Sequence, residues 1–548
     1  MSSHQPGDPS PGVQYADGSS GIDAEDVPAM LEARDLWELI EARAAATPES
    51  EMTVDEHGRT VRFGEYRDAV LRAAAGLSAH GVEPGDVVSW MLPTWHESFV
   101  LAGALARLGA AQNPILPIYR DREVGFCTAQ AGTRLLLVPG MWRGFDYEAM
   151  GQRIGAGRGA TDPRLDVVVC DHRLPEGDPA TLPPPPEPPA ARTDEPVGWL
   201  FYTSGTTADP KGARHTDADL IITARGMCER LAAGAGDRNL MAFPVTHIAG
   251  PIWLASSLMY ELVNVITETF DPKATPALAS AQDVTLAGSA TAFHLAYLAA
   301  QREAGATPIF PKLRSCPGGG GPKPPRLHFE VQEQLGGRGI LSGWGLTEAP
   351  ILTMASTDDP DDKLSTTEGR AMPGVTLRTV TVEGEEVGPG HEGELRAKAP
   401  QMMKGYLDAA LDVDAFDEDG WFRTGDLGVI DDQGYVRITG RLKDVIIRKG
   451  ENVSAKEVED LLYEHDQVAD VAVIGLPDEE RGELVCAVVA TGDGQDPLAF
   501  AQMQEFLRAR GLRMQAIPER LEHVDAVPRN PAGKVQKHEL RKQYAPAP

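Results

Sequence analysis

Short apolar runs alternating with helix-length segments constrain this chain more than any other feature. Leu36 to Ala45 and Arg62 to His80 read as helices, the second stopped by Gly81, with short strands between them around a turn at Glu56-His57-Gly58. Asp86 to Leu92 then reads as an apolar strand, Trp95 to Leu108 as a helix and Leu135 to Val138 as another strand. Such alternation predicts an α/β fold in which parallel sheets are covered on both faces by helices. Leu174 to Pro196, with Pro183 to Pro186 and Pro188-Pro189, predicts a stiff, extended surface connection leading into a new strand at Val197 to Tyr202. From about Gly374 the texture changes to short strands and turns, a β-rich part of the same body. After Gly440 a compact segment follows, with helices at Ser454 to His465 and Pro497 to Arg510 and strands at Val468 to Ile474 and Leu484 to Ala490. At 548 residues the chain exceeds one ordinary core. The expected division is a flexible N-terminal tail over 1–30, a large domain over 31–440 and a small, mobile α+β domain over 441–548, joined by a hinge.

Charge and composition exclude several function classes. The formal net charge of −30 argues against a nucleic-acid or anionic-membrane partner, because neutralising phosphates requires clustered Lys and Arg. No run approaches the roughly 20 apolar residues that cross a bilayer. Met1 to Pro28 lacks the basic start and apolar stretch of a leader peptide. Cys127, Cys170, Cys228, Cys316 and Cys486 show no CxxC spacing, which suits reduced thiols in a cytoplasm and offers no metal site.

The richest local chemistry is Tyr202-Thr203-Ser204-Gly205-Thr206-Thr207-Ala208-Asp209-Pro210-Lys211-Gly212. It follows an apolar strand and gathers hydroxyls, glycine and one lysine, so backbone N–H and hydroxyl donors are available to phosphate oxygens. A Ser/Thr/Gly surface turn is the plain alternative. It is not a Walker A loop, since no Ser or Thr follows Lys211.

This loop resembles the phosphate-loop motif of the adenylate-forming (AMP-binding) superfamily of acyl-CoA synthetases, luciferases and peptide-synthetase adenylation domains. The family usually carries Gly where this chain has Ala208. Further motifs resemble the family's in the same order. The resemblance implies that Thr203, Ser204, Gly205, Thr206, Thr207 and Lys211 contact the phosphates of ATP. Within Gly343-Trp344-Gly345-Leu346-Thr347-Glu348 it implies that Trp344 lies against adenine and that Glu348 is a hard oxygen ligand for Mg²⁺, with Thr203 beside the same phosphates. Gly318 to Gly321 with Pro322 resembles the glycine-rich strand end beside adenine and acyl group, which assigns Gly320, Gly321 and Pro322 to that wall. Thr424-Gly425-Asp426 resembles the ribose-binding turn, its carboxylate accepting from both hydroxyls. Gly440-Arg441-Leu442-Lys443-Asp444 resembles the interdomain hinge, with Arg441 reaching the ribose and phosphates and Lys443 as pivot. Lys449-Gly450 matches a coenzyme A contact, while Ile447 replaces a lysine that the family often has. Pro528-Arg529-Asn530-Pro531-Ala532-Gly533-Lys534-Val535 resembles the motif of the catalytic lysine, whose ammonium bridges the substrate carboxylate and the α-phosphate.

Phe243 to Gly250 takes the place of one acyl-pocket wall in that family. Amino-acid-activating members place an Asp there, because a buried α-ammonium needs a partner. His247 stands instead and resembles the gate of fatty- and aryl-acid ligases; the whole run is similar to bacterial ligases of medium-chain and cyclohexane-type acids. The resemblance implies an ATP-dependent, Mg²⁺-assisted ligase acting on a carboxylic acid and CoA. An enzyme loading a carrier protein, a luciferase-like oxygenase and a non-catalytic adenylate-binding regulator are the alternatives. Oligomeric state is not legible, a homodimer being one option.

Overall fold

The computed structural model describes residues 33, 35–159, 163–187, 195–203, 209–319, 323–381, 383–449, 451–478, 480–492, 494–530 and 533–545. The expected tail over 1–30, and Ser204, Gly205, Thr206, Thr207, Gly320, Gly321, Pro322 and Gly450, lie outside the described residues.

A six-stranded sheet forms one half of the body, in the order Lys211–His215, Trp199–Thr203, Ala111–Pro114, Val87–Trp90, Leu135–Val138, Asp166–Val169. Its strands are parallel except the Lys211–His215 edge, which runs antiparallel to Trp199–Thr203. A four-stranded sheet ordered Arg238–Met241, Val263–Ile266, Glu51–Val54, Thr60–Arg62 again ends in an antiparallel edge. Isolated bridges through Leu286 link it to a sheet built on Cys316–Gly318 and Ile340–Trp344. Helices Phe63–Ala79 and His96–Leu108 cover the strands, and Trp90 and Trp199 are each 1% exposed in the core between them. The expected α/β body of parallel strands covered by helices is present, and both of these sheets carry one antiparallel edge. Their edges are antiparallel because short connections, residues 55–59 and 204–210, return the chain directly, whereas a parallel partner needs a long crossover.

The β-rich part is a five-stranded antiparallel sheet, ordered Glu386–Val387, Thr376–Val380, Glu392–Lys398, Phe422–Ile430, Val436–Arg441. Beyond it the chain builds another sheet, ordered Glu451–Ser454, Val445–Arg448, Gly482–Thr491, Val468–Asp478, with Arg520–Val524 parallel to Gly482–Thr491. Helices Ala455–Leu462, Phe500–Ala509 and Lys537–Tyr544 lie on it. Two apolar clusters drawn only from residues 446–544 form its core, so this segment buries its own hydrophobic surface. Ser454 caps the first of these helices by accepting from the Glu457 N–H. The proline-rich connection is tethered to the body: Arg107 donates to the Pro183 carbonyl at 2.6 Å and Leu174 is buried.

Candidate active site

Thr203 ends one strand and Lys211 begins the next, and the two are direct partners across the antiparallel pair. The two ends of the hydroxyl-rich stretch, Thr203 and Lys211, are therefore fixed by the sheet. Lys211 Nζ lies 5.4 Å from the centre of the Tyr406 ring, within cation–π range. The Tyr406 hydroxyl donates to Glu348 Oε1 at 2.8 Å. Glu348 is 9% exposed and sits on a bend, not at a helix start. Its carbonyl accepts from the Met403 N–H at 2.9 Å. Just before it, the Thr347 carbonyl is 2.8 Å from Nε2 of His215, itself fully buried. Gly345 stands where a Cβ would lie 2.3 Å from the Ile351 nitrogen.

Trp344 ends the strand that begins at Ile340, with Gly343 before it, and is 7% exposed. Its indole N–H donates to Asp426 Oδ2 at 2.8 Å, and Asp426 Oδ1 pairs with Arg441 Nε at 2.6 Å. Trp344 thus orients the carboxylate expected at the ribose, a role that aromatic character alone does not announce. Asp426 lies inside the Phe422–Ile430 strand, where the register shifts opposite Glu394 and Arg396, so the expected ribose turn is a bulged strand. Arg441 ends the adjacent strand, and Leu442–Asp444 follows as a 3₁₀ turn bearing Lys443.

The Lys534 loop is shaped by its flanks. Arg529 pairs with Asp470 at 2.8 Å and donates to the Gly533 carbonyl, while the Lys534 N–H donates to Asn530 Oδ1. Gly533 has φ +80°, and a Cβ there would lie 2.7 Å from Ala290 Cβ of the large body. That close approach seats the loop against helix Thr291–Ala304 and its Phe293. Lys534 keeps an exposed surface in the cleft. The enclosing walls, then Arg441 and Lys443, push its ammonium down to about 8, with Asp426 and Asp444 acting in the opposite sense. His247 faces the same cleft electrostatically: enclosure and then the Lys534 charge push its imidazole down to about 4, so it is neutral near pH 7. Its Nδ1 accepts from the Ala249 N–H, which leaves the proton of the neutral ring on Nε2. The structure therefore brings Lys534, Arg441, Lys443, Asp426 and His247 into one electrostatic neighbourhood. Lys449, at φ +50°, pairs instead with Glu480 at 2.9 Å on a separate hairpin.

The AMP-binding enzyme family pattern matches residues 40–407, and that of the AMP-binding enzyme C-terminal domain matches residues 457–534. The chain belongs to the AMP-binding enzyme family. It is similar to the medium-chain fatty-acid–CoA ligase of Escherichia coli (strain K12), 30% identical over 514 residues that cover 91% of this chain and 88% of the relative. It is 32% identical over 501 residues to the salicyl-AMP ligase / salicyl-S-ArCP synthetase of Mycobacterium tuberculosis (strain ATCC 25618 / H37Rv), covering 88% and 85% of the two chains. Its fold is similar to the crystal structure of ATP-bound MatB from Rhodopseudomonas palustris, with a TM-score of 0.80 at 26% identity over 93% of this chain and 99% of that one. The family's reaction is ATP-dependent adenylation of a carboxylic acid followed by acyl transfer to CoA, and this AMP-binding enzyme is an AMP-forming ligase.

Tyr406 and Arg529 were missed by motif reading: Arg529 stands within the motif of Lys534, whereas Tyr406 lies far in sequence from every residue that chemistry singles out. Gly533→Ala is expected to slow adenylation about tenfold or more, roughly 1.4 kcal/mol in the barrier, because both the strained φ and the contact with Ala290 displace Lys534. Pyrophosphate release, with the melting transition followed in parallel, checks this; an unchanged rate contradicts the seating of the loop.

Proposed function

We propose that Lys534 is the catalytic cation of an acyl-CoA synthetase that activates fatty, cyclic or aryl acids, with CoA as acceptor. The supporting observation is the seating of the Gly533-Lys534 loop on the large body, which holds an ammonium beside Arg441, Lys443 and Asp426. In this reading the substrate carboxylate attacks the α-phosphate and pyrophosphate leaves. Lys534 offsets the negative charge that grows on the transferring group. Asp426, oriented by Trp344 and Arg441, receives the ribose hydroxyls. Rotation about Lys443 then withdraws Lys534 and brings Lys449 and Gly450 to the site, where the CoA thiol attacks the acyl-adenylate and AMP departs.

A magnesium ion fits the donors present. Glu348 is nine-tenths buried, yet its carboxylate has no ammonium or guanidinium partner among the described residues, and the Thr203 hydroxyl is a second hard oxygen. When bound there, the ion would neutralise phosphate charge and polarise the reacting phosphoryl group. The wall from Phe243 to Gly250 carries no carboxylate, so an α-ammonium has no partner on it. Neutral His247 offers an N–H donor instead, which favours acids whose remainder is uncharged. A reducing, cytoplasmic setting is part of the proposal: all five cysteines are free and buried, and among the described residues no helix is long and apolar enough to cross a membrane.

Pyrophosphate release across a panel of carboxylic acids, with and without CoA, tests the acceptor. CoA-dependent turnover is expected; adenylate that accumulates and is discharged only onto a carrier protein contradicts the CoA assignment. The pH dependence follows from Lys534. Its ammonium is charged below about 8 and neutral above, so kcat/KM for adenylation is expected to be level below that pH and to fall above it. His247, neutral above about 4, contributes no second limb in this range. A profile that rises through pH 8 contradicts the cationic role.

A further inference from the structure

The carboxylate at Glu348 is held by a clamp that no motif role accounts for. Its main chain is fixed from two sides: His215 Nε2 at the Thr347 carbonyl, 2.8 Å, and the Met403 N–H at the Glu348 carbonyl, 2.9 Å. His215 is in turn backed by Asp219, 3.8 Å from its Nδ1, and Asp219 pairs with Lys404 at 3.2 Å. The strand Lys211–His215 and segment 403–407 are also joined to each other. The Leu407 N–H donates to the Gly212 carbonyl and the Arg214 N–H to the Gly405 carbonyl, with Ala213 and Tyr406 bridged between them. Gly405 makes this turn possible, at φ +82° with space for a Cβ only 2.5 Å from Asp412 Oδ2.

With both backbones fixed, the side-chain hydrogen bond that Glu348 makes among the described residues is the one from the Tyr406 hydroxyl. At 2.8 Å from a carboxylate oxygen, the phenol O–H is the donor of that bond. The other side of the same residue meets Lys211 through its ring face. We infer that Tyr406 is a positioning residue for nucleotide binding. Its hydroxyl fixes the rotamer of the metal-facing carboxylate, and its ring fixes the ammonium at the far end of the phosphate loop. The spacing between a site for Mg²⁺ and a cation for phosphate is thereby set by one aromatic side chain. The inference rests on the proposed role of Glu348 and adds a separable claim to it.

Tyr406→Phe keeps the ring and removes only the hydroxyl. Calorimetric titration of ATP at a series of MgCl₂ concentrations reads the consequence without turnover. The Mg²⁺ concentration giving half its effect on ATP affinity is expected to rise about tenfold, the usual range for losing a group that orients a metal ligand. ATP affinity in the absence of Mg²⁺ is expected to stay within about twofold, because the Lys211 contact with the ring persists. A merely structural tyrosine would shift the melting transition and leave the Mg²⁺ midpoint in place. The double variant with Glu348→Gln is expected to match Glu348→Gln alone, since both changes act on one interaction. An unshifted midpoint in Tyr406→Phe, beside a shifted one in Glu348→Gln, overturns the positioning role and leaves the metal assignment standing. An unshifted midpoint in Glu348→Gln overturns both.

Discussion

Three cations, Lys534, Arg441 and Lys443, converge on one cleft in a chain whose formal net charge is −30. Like charges held together inside enclosing walls repel and lose hydration, and the Lys534 ammonium accordingly falls to about 8. Asp426 and Asp444 oppose this without abolishing it. Such a cluster is electrostatically matched to a polyanion, and ATP is the polyanion that the family binds. The rest of the site follows from maintaining that cluster across a seam between two separately cored parts of the chain. The Arg529–Asp470 pair shapes the loop, and the missing Cβ of Gly533 admits it to within contact of Ala290.

At Glu348 the problem is reversed, since a buried carboxylate has no ammonium or guanidinium partner among the described residues. Glu348 is held by the Met403 N–H at its carbonyl, by His215 at the neighbouring Thr347 carbonyl and by the Tyr406 phenol. A neutral donor orients a carboxylate without neutralising it, so the charge remains available to a cation that arrives with substrate. A lysine or arginine in the place of Tyr406 would satisfy the carboxylate and compete with that cation.

The residues proposed to touch reactants could be named from sequence because their chemistry limits the choice of residue locally: a carboxylate for ribose, a lysine after a Pro/Gly turn, hydroxyls before a glycine. Their supporting contacts could not, because they arise from pairings distant in sequence. Tyr406 lies 58 residues from Glu348, and Arg529 lies 59 from Asp470. Strand Ala111–Pro114 escaped for a related reason. It is fully buried but has no apolar run, its Gln112 and Asn113 amides donating to the Ala102 carbonyl and the Ser89 hydroxyl. Lys323 carries no signal in the sequence, yet it is 7% exposed, donates to the Leu364 and Thr367 carbonyls, and is pushed down to about 8 by burial.

The account stands on Lys534 serving the first half-reaction and leaving before the second. Comparing the two half-reactions in Lys534→Ala tests this most directly, with adenylation followed by pyrophosphate release and thioester formation followed from supplied acyl-adenylate and CoA. Adenylation is expected to fall by several orders of magnitude while thioester formation stays near that of the unaltered enzyme. Equal losses in both would contradict a cation that acts from a movable part of the chain.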